Sequence, residues 1–454
     1  METDRWHPLR GGWSQLQDLV EFEWCRTFIL LSCFLFPLAH ARRRRRRMPV
    51  QFRSVDDSQV RAFVGVGLCI HSLSAAWILL PIFIDHKIAA DPALPGLTEE
   101  TLTITTTAIF GGWVVGSLFL QHLMSAFDKA QLIVAGCIGL LMVALATATL
   151  PHLTAGNLAV FTAVRFVQGL LQNIVFLETV YVQEAVPPGW GNAALVSANV
   201  GFCLVDILQA FLCGGPMLLW DWRLQVFLSQ SVPLLLALLI GFPKRWEILC
   251  SLPAASKALW KKEEVSAEST SLTAKEWHHG MALASGFLAS CSGFWGLSYS
   301  AGQLSPNKYR SMMFFSAADI FGYLLALSAS SLGRSRVQAG AFFLATVCLF
   351  LCSTGEPGSA LVMGSAMLGR ICLDLCFTTI YAFVEIFSES ARKKVLPACE
   401  MTMRIGGTLA PYAGTLPPSI SCKLFSFLCL AAALGSLQLP DQPHSALKKK
   451  LADW

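Results

Sequence analysis

The sequence predicts an all-α polytopic membrane protein with twelve transmembrane helices in two six-helix halves. Three observations predict it. First, 54% of the 454 residues are hydrophobic and only 14% are charged, whereas a soluble domain carries charge on about a quarter of its residues. Second, apolar runs of spanning length recur twelve times along the chain. Third, those runs fall six on either side of one polar stretch, 243–279.

In chain order, residues 1–61 form a basic segment read as cytosolic or interfacial. Within it the apolar run 27–39 reaches only about 20 Å, short of a hydrocarbon core of about 30 Å. The run Arg42–Arg47 follows that stretch. A secretory signal carries its charge before the apolar run, so this is no ordinary leader. The N-terminal half, 62–242, holds spans at about 62–84, 102–124, 131–150, 158–181, 194–218 and 224–242. The linker 243–279 mixes charge with Ser and Thr. The C-terminal half, 280–438, holds spans at about 280–300, 311–332, 336–354, 360–384, 395–416 and 420–438, and a tail of 439–454 closes the chain. Lys and Arg set the orientation, since cytosolic loops keep them. With both termini inside, the inner loops and tail after the first span hold fifteen and the outer loops five. Two six-helix halves about a cytosolic loop suggest the major facilitator architecture, in which a solute site lies near the bilayer midplane between the halves.

The same sequence gives no sign of catalysis. It has no Gly-rich phosphate loop, no metal-ligand spacing and no nucleophile–base constellation above chance, so we expect neither an enzyme nor a cofactor, metal or nucleic-acid partner. The fifteen cysteines are scattered through apolar segments. Cys348/Cys352 and Cys372/Cys376 are each one helical turn apart, which suits packing better than ligation.

The stretch from Tyr381 to Pro411, YAFVEIFSESARKKVLPACEMTMRIGGTLAP, resembles solute carrier family 22, the organic cation/anion transporters. That family's pattern runs ELYPTxxR and, twelve residues on, RxGxxxxP. Glu385, Arg392, Arg404, Gly406 and Pro411 fall on it without a gap. Shorter pieces agree: DWRLQVFLSQSVP (Asp221–Pro233), PKRW (Pro243–Trp246), FWGLS (Phe294–Ser298), RFVQG (Arg165–Gly169) and GRICLDLCF (Gly369–Phe377). The resemblance covers about residues 62–438. It implies a secondary transporter of a small organic ion in the plasma membrane, working by alternating access with a proton or counter-ion. Departures mark an atypical, orphan branch. The loop between helices 2 and 3 places Ser125, Ala126 and Asp128 where the family has Asp, Arg and Gly, and Gly191 replaces an arginine seven residues after Glu184. A transporter-like receptor or scaffold that has lost transport is the alternative reading. No N-x-S/T sequon occurs.

Intramembrane charges single out candidate residues, because an ionised side chain in hydrocarbon costs about 2.5–3.5 kcal/mol or more. Arg404 stands where anion-transporting relatives keep an arginine, and its fork suits a carboxylate or sulfate. On that ground the solute is expected to be an anion. An internal pair with Asp374 or Glu178 is the alternative for Arg404. The lysine that anion-transporting members carry in helix 8 maps to Gly322. Phe294, Trp295 and Phe377 could line the solute cavity or simply pack. Asp374, Glu178, Asp206 and Asp319 could relay protons or bind a cation, or pair with Arg165, Arg370 or Arg404. Glu184, Arg334, Arg336, Glu385 and Arg392 resemble the family's cytosolic gate of ion pairs.

Overall fold

A computed structural model describes residues 80–91, 98–127, 129–153, 158–177, 191–241, 272–329 and 333–440. The whole N-terminal segment, most of the first predicted span, most of the linker, most of the tail and the candidates Glu178 and Glu184 lie outside these residues. The helices are α1 (Leu80–Ala89), α2 (Glu99–Ala126), α3 (Lys129–Leu153), α4 (Leu158–Val175), α5 (Gly191–Gly214) and α6 (Trp222–Gly241). After the linker come α7 (Ala274–Tyr299), α8 (Lys308–Ala329), α9 (Arg334–Thr354), α10 (Ala360–Ile380), α11 (Glu389–Ala413) and α12 (Pro418–Ser436). One further turn, Ala301–Leu304, and a 3₁₀ stretch, Tyr381–Ile386, complete the described elements, none of which is a strand. Eight of the helices are long and apolar enough to cross a membrane. The chain is a multi-pass membrane protein by that measure.

Local sequence sets where the helices begin. α2 opens on a capping box: the Thr98 hydroxyl accepts from the Thr101 amide at 3.2 Å, and the Thr98 amide donates to the Thr101 hydroxyl at 2.8 Å. α7 opens on another, Thr273 with Glu276, and so begins at Ala274, ahead of the apolar run at 280. Glu276 also accepts from Ser388, the N-cap of α11, at 2.9 Å, which ties the starts of α7 and α11 together. Once a helix carries its own backbone hydrogen bonds, only its side chains meet lipid. Large apolar residues accordingly face outward, among them Phe119, Met142, Phe343 and Phe427. Inside lie polar residues that a soluble core would seldom bury: Gln172, Asn173, Asp206, Asp319, Arg370 and Asp374.

Helix–helix approach depends on small residues, as it must where lipid and side chains are equally apolar. At the α2–α4 crossing a methyl group on Gly112 would overlap the Phe166 carbonyl, and one on Gly169 the Ile109 carbonyl. In the C-terminal half, α7 packs on α10, α11 and α12, while α8 and α9 both pack on α10. Among the described residues the most extensive pairings between the halves are α5 with α8 and α2 with α11. The site lies where those two seams meet α7.

Candidate functional site

Near the C-terminal end of α7, Phe294 and Trp295 project from the C-terminal half towards α2 and α5. The Trp295 ring meets Phe110 and Trp113 of α2 edge-on, with centroids 5.7 and 6.3 Å apart, and Phe202 of α5 at 6.2 Å. Phe294 lies 4.9 Å from Trp295 and 6.3 Å from Phe202. Gln172 of α4 fixes the Trp113 indole by accepting its N–H at 3.2 Å. Five rings from three helices thus line the seam between the halves. Phe377, grouped with them on sequence, instead meets Tyr381 at 5.7 Å, and that ring packs on Phe287. Its place is nearer Arg404, which lies close to Tyr381.

One turn beyond Phe202, α5 carries Asp206, and across the seam lies a charge cluster. Arg370 of α10, wholly buried, forks onto Asp319 of α8: Nε reaches Oδ1 at 2.8 Å and Nη2 reaches Oδ2 at 2.5 Å. Its Nη1 donates to the Ser298 hydroxyl at 2.6 Å and the Phe294 carbonyl at 3.2 Å. The guanidinium also lies over the Phe294 ring, 4.1 Å from its centroid, and near Phe315 at 5.3 Å. Asp374, one turn after Arg370 on α10, is in hydrogen-bond contact with Asp319 and Tyr323. Asp206 accepts from the Ser316 hydroxyl of α8, a hydrogen bond that crosses between the halves. Gly322 permits the arrangement, since a methyl there would come within 2.8 Å of Asp374 Cβ. Three carboxylates, each 0–1% exposed, therefore surround one guanidinium.

Among the described residues Arg404 does not pair with Asp374, one of the two partners expected for it; the other, Glu178, lies outside them. The partners of Arg404 are Asn173 of α4, whose Oδ1 accepts from Nη2 at 2.6 Å and from Nε at 3.1 Å, and Glu400 one turn earlier on α11. Glu400 offers its backbone carbonyl at 3.2 Å and its carboxylate at 3.4 Å. Asp374 belongs to the Arg370 cluster, so it cannot serve Arg404 as well. Arg165, buried on α4, lies 3.6 Å from Asp85 of α1 and over the Phe161 ring. It is not part of the Arg370 cluster.

The proposed gate residues share one end of the C-terminal bundle. Arg334 and Arg336 open α9, Arg392 lies in the first turn of α11 with its side chain exposed, and Glu385 falls in the 3₁₀ stretch before it. At the opposite end the halves meet through α1 and α8: Phe83 stacks on Tyr309 at 5.7 Å, and Lys308 Nζ contacts His86 Nδ1 at 3.0 Å. Burial and the neighbouring Lys308 and Lys87 push the His86 imidazole down to about 4.

Sequence reasoning missed Phe110, Trp113, Phe202, Ser316, Tyr323 and Asn173. Nothing in their local spacing separates them from packing residues. Glu400 was readable, since an acid four residues before an arginine on a helix is a standard pair.

No family model matches the chain. It is 31% identical over 170 residues to the organic cation transporter protein of Drosophila melanogaster, covering 35% of this chain and 30% of that one. A longer match, 24% identical over 409 residues, runs to solute carrier family 22 member 15 of Xenopus tropicalis and covers 81% of this chain and 75% of the relative. The stretches matched in the first relatives span about a third of their length, 30% and 35%. Among solved structures, the inward open xylose transporter XylE of E. coli superposes with a TM-score of 0.64 at 15% identity, over 87% of this chain and 99% of that one. The chain has the fold of the major facilitator superfamily.

Proposed function

We propose that this protein is a divergent member of solute carrier family 22 and a secondary transporter of a small organic cation. The observation that carries the reading is the pairing of an aromatic box with an excess of buried carboxylate. Rings attract a cation through their quadrupoles, each by about 0.5–2 kcal/mol when desolvated, and box-like groups of them suit alkylammonium ions. The neighbouring Asp206, Asp319 and Asp374 outnumber Arg370 and favour positive charge at the same place. Similarity to a protein named for organic cation transport points the same way.

The polarity therefore differs from the anion expected from Arg404. A guanidinium already held by Asn173 and Glu400 must give up those bonds to grip a carboxylate. Gly322, where a lysine would have answered an anion, instead seats Asp374. In this reading the box is reached from alternate sides as the α5–α8 and α2–α11 seams part, and the α1–α8 contact closes one end. The gate role of Arg334, Arg336, Glu385 and Arg392 belongs to the opposite end, and Glu184, outside the described residues, is assigned to the same gate by sequence alone.

Counterflow in vesicles reconstituted with the full chain tests this. Internal quaternary ammonium should drive saturable uptake of labelled quaternary ammonium, whereas an equal load of carboxylates should not. Binding without any exchange would favour the receptor reading. Exchange of carboxylates alone would restore Arg404 as the solute's partner.

A further inference from the structure

The charge cluster holds more acid than base, and its geometry says what balances it. Asp319 offers both oxygens to the Arg370 fork, yet Asp374 is also in hydrogen-bond contact with it. Two carboxylates cannot meet in this way unless a proton lies between them, because like charges at contact distance do not both ionise. A second observation is independent of that contact. Among the described residues Asp374 Oδ2 and Asp206 Oδ1 find no hydrogen-bond partner although their side chains are buried to within 1%. An ionised oxygen left bare away from water is among the most costly groups a protein can hold. Ionising all three acids would leave two negative charges uncompensated beside one arginine.

We propose that the Asp319–Asp374 pair, with Asp206 across the seam, carries an exchangeable proton, and that an organic cation entering the aromatic box displaces it. The exchange conserves charge. The O–H bond at the shared carboxyl breaks, the proton leaves to water on the side the cavity faces, and the cation takes over its compensating charge. Return of the proton expels the cation, so a pH gradient drives transport in exchange for protons. Asp206 lies on α5 and accepts from Ser316 on α8, so the protonation state is read at a seam between the halves. Other titratable groups near the pair are Cys203 of α5, Tyr323 of α8, and Arg370, Cys372 and Cys376 of α10. From α7 the Phe294 carbonyl and Ser298 hydroxyl steady Arg370. The exchange step rests on the cation reading above; the proton rests on the burial of three acids beside one arginine and on their bare oxygens.

Infrared difference spectroscopy on the purified full chain separates the two. At neutral pH the wild type should show the carbonyl stretch of a buried protonated carboxyl. Asp374→Asn, which keeps the shape and can still donate to Asp319, should lose that band. Asp206→Asn, which spares the Arg370 pair, should keep the band and shift it. Saturating phenyltrimethylammonium should bleach the wild-type band, and its apparent affinity should fall about tenfold for each unit by which pH is lowered where the two compete. Absence of the band, or its survival in Asp374→Asn, overturns the proton site whatever the solute. If the probe binds and the band stays, the exchange is wrong while the cation reading stands. If the band is present and no quaternary ammonium binds, the cation reading fails and the exchange fails with it.

Discussion

Replacing Arg370 by Met is the sharpest perturbation the structure offers. The side chain is fully buried, forks onto Asp319 and holds Ser298 and the Phe294 carbonyl. Methionine fills much of the volume but leaves Asp319 facing Asp374 and Asp206 with no base among them. Removing one partner of a buried ion pair costs about 3–5 kcal/mol, because the other charge is stranded. That is roughly two to nearly four orders of magnitude in the folded ratio, set against a total stability of order 5–15 kcal/mol. Arg370→Lys should fall between, since it keeps the charge and loses the fork. The double variant Arg370→Met with Asp319→Asn removes charge from both sides and should recover most of the loss. Yield of monodisperse protein by fluorescence-detected size exclusion, with the thermal midpoint in detergent, reads all three. A single variant as stable as the wild type would refute the cluster, and so would a double variant no better than the single.

Three further outcomes follow from the same contacts. Arg404→Ala removes a charge-assisted link between α11 and α4, which should cost about 1.5–3 kcal/mol in the thermal stability of the protein while leaving selectivity for positive solutes intact; inverted selectivity would return Arg404 to the solute. Gly169→Leu should abolish assembly, because no side chain fits against the Ile109 carbonyl, and normal expression of that variant would show the α2–α4 crossing to be wrong. His86 is held neutral in the fold, with its imidazole down to about 4 from an ordinary 6.5, so the unfolded chain takes up the proton first as pH falls. Stability should therefore drop between pH 6.5 and about 4, and His86→Gln should flatten that part of the thermal-midpoint profile.

The fold was legible because its signal is redundant. Twelve apolar runs and one polar interval depend on no single residue, and caps such as Thr273–Glu276 stand in plain spacing. The intramembrane charges were legible too, since each of Arg165, Asp206, Asp319, Arg370, Asp374 and Arg404 stands out in an apolar run. Their pairing was not. Arg370 and Asp374 are one turn apart on α10, but Asp319 is 51 residues from Arg370 in sequence and Ser316 is 110 from Asp206. Which helix faces which decides these contacts, and periodicity carries no such information. Arg404 shows the consequence, since Asn173, the residue that takes up its fork, lies 231 residues away. The aromatic box was half visible, since Phe294 and Trp295 sit in a motif while Phe110, Trp113 and Phe202 resemble ordinary lipid-span residues.

Charge selectivity tests the account most directly. Phenyltrimethylammonium and benzoate share a ring and differ in the sign of their charge. In vesicles carrying the purified full chain, labelled phenyltrimethylammonium should undergo saturable counterflow that unlabelled phenyltrimethylammonium suppresses and benzoate does not. Asp374→Asn should weaken that exchange, while Arg404→Lys should leave its selectivity unchanged. Saturable benzoate counterflow that is lost in Arg404→Lys, with no exchange of the cation, would contradict the account.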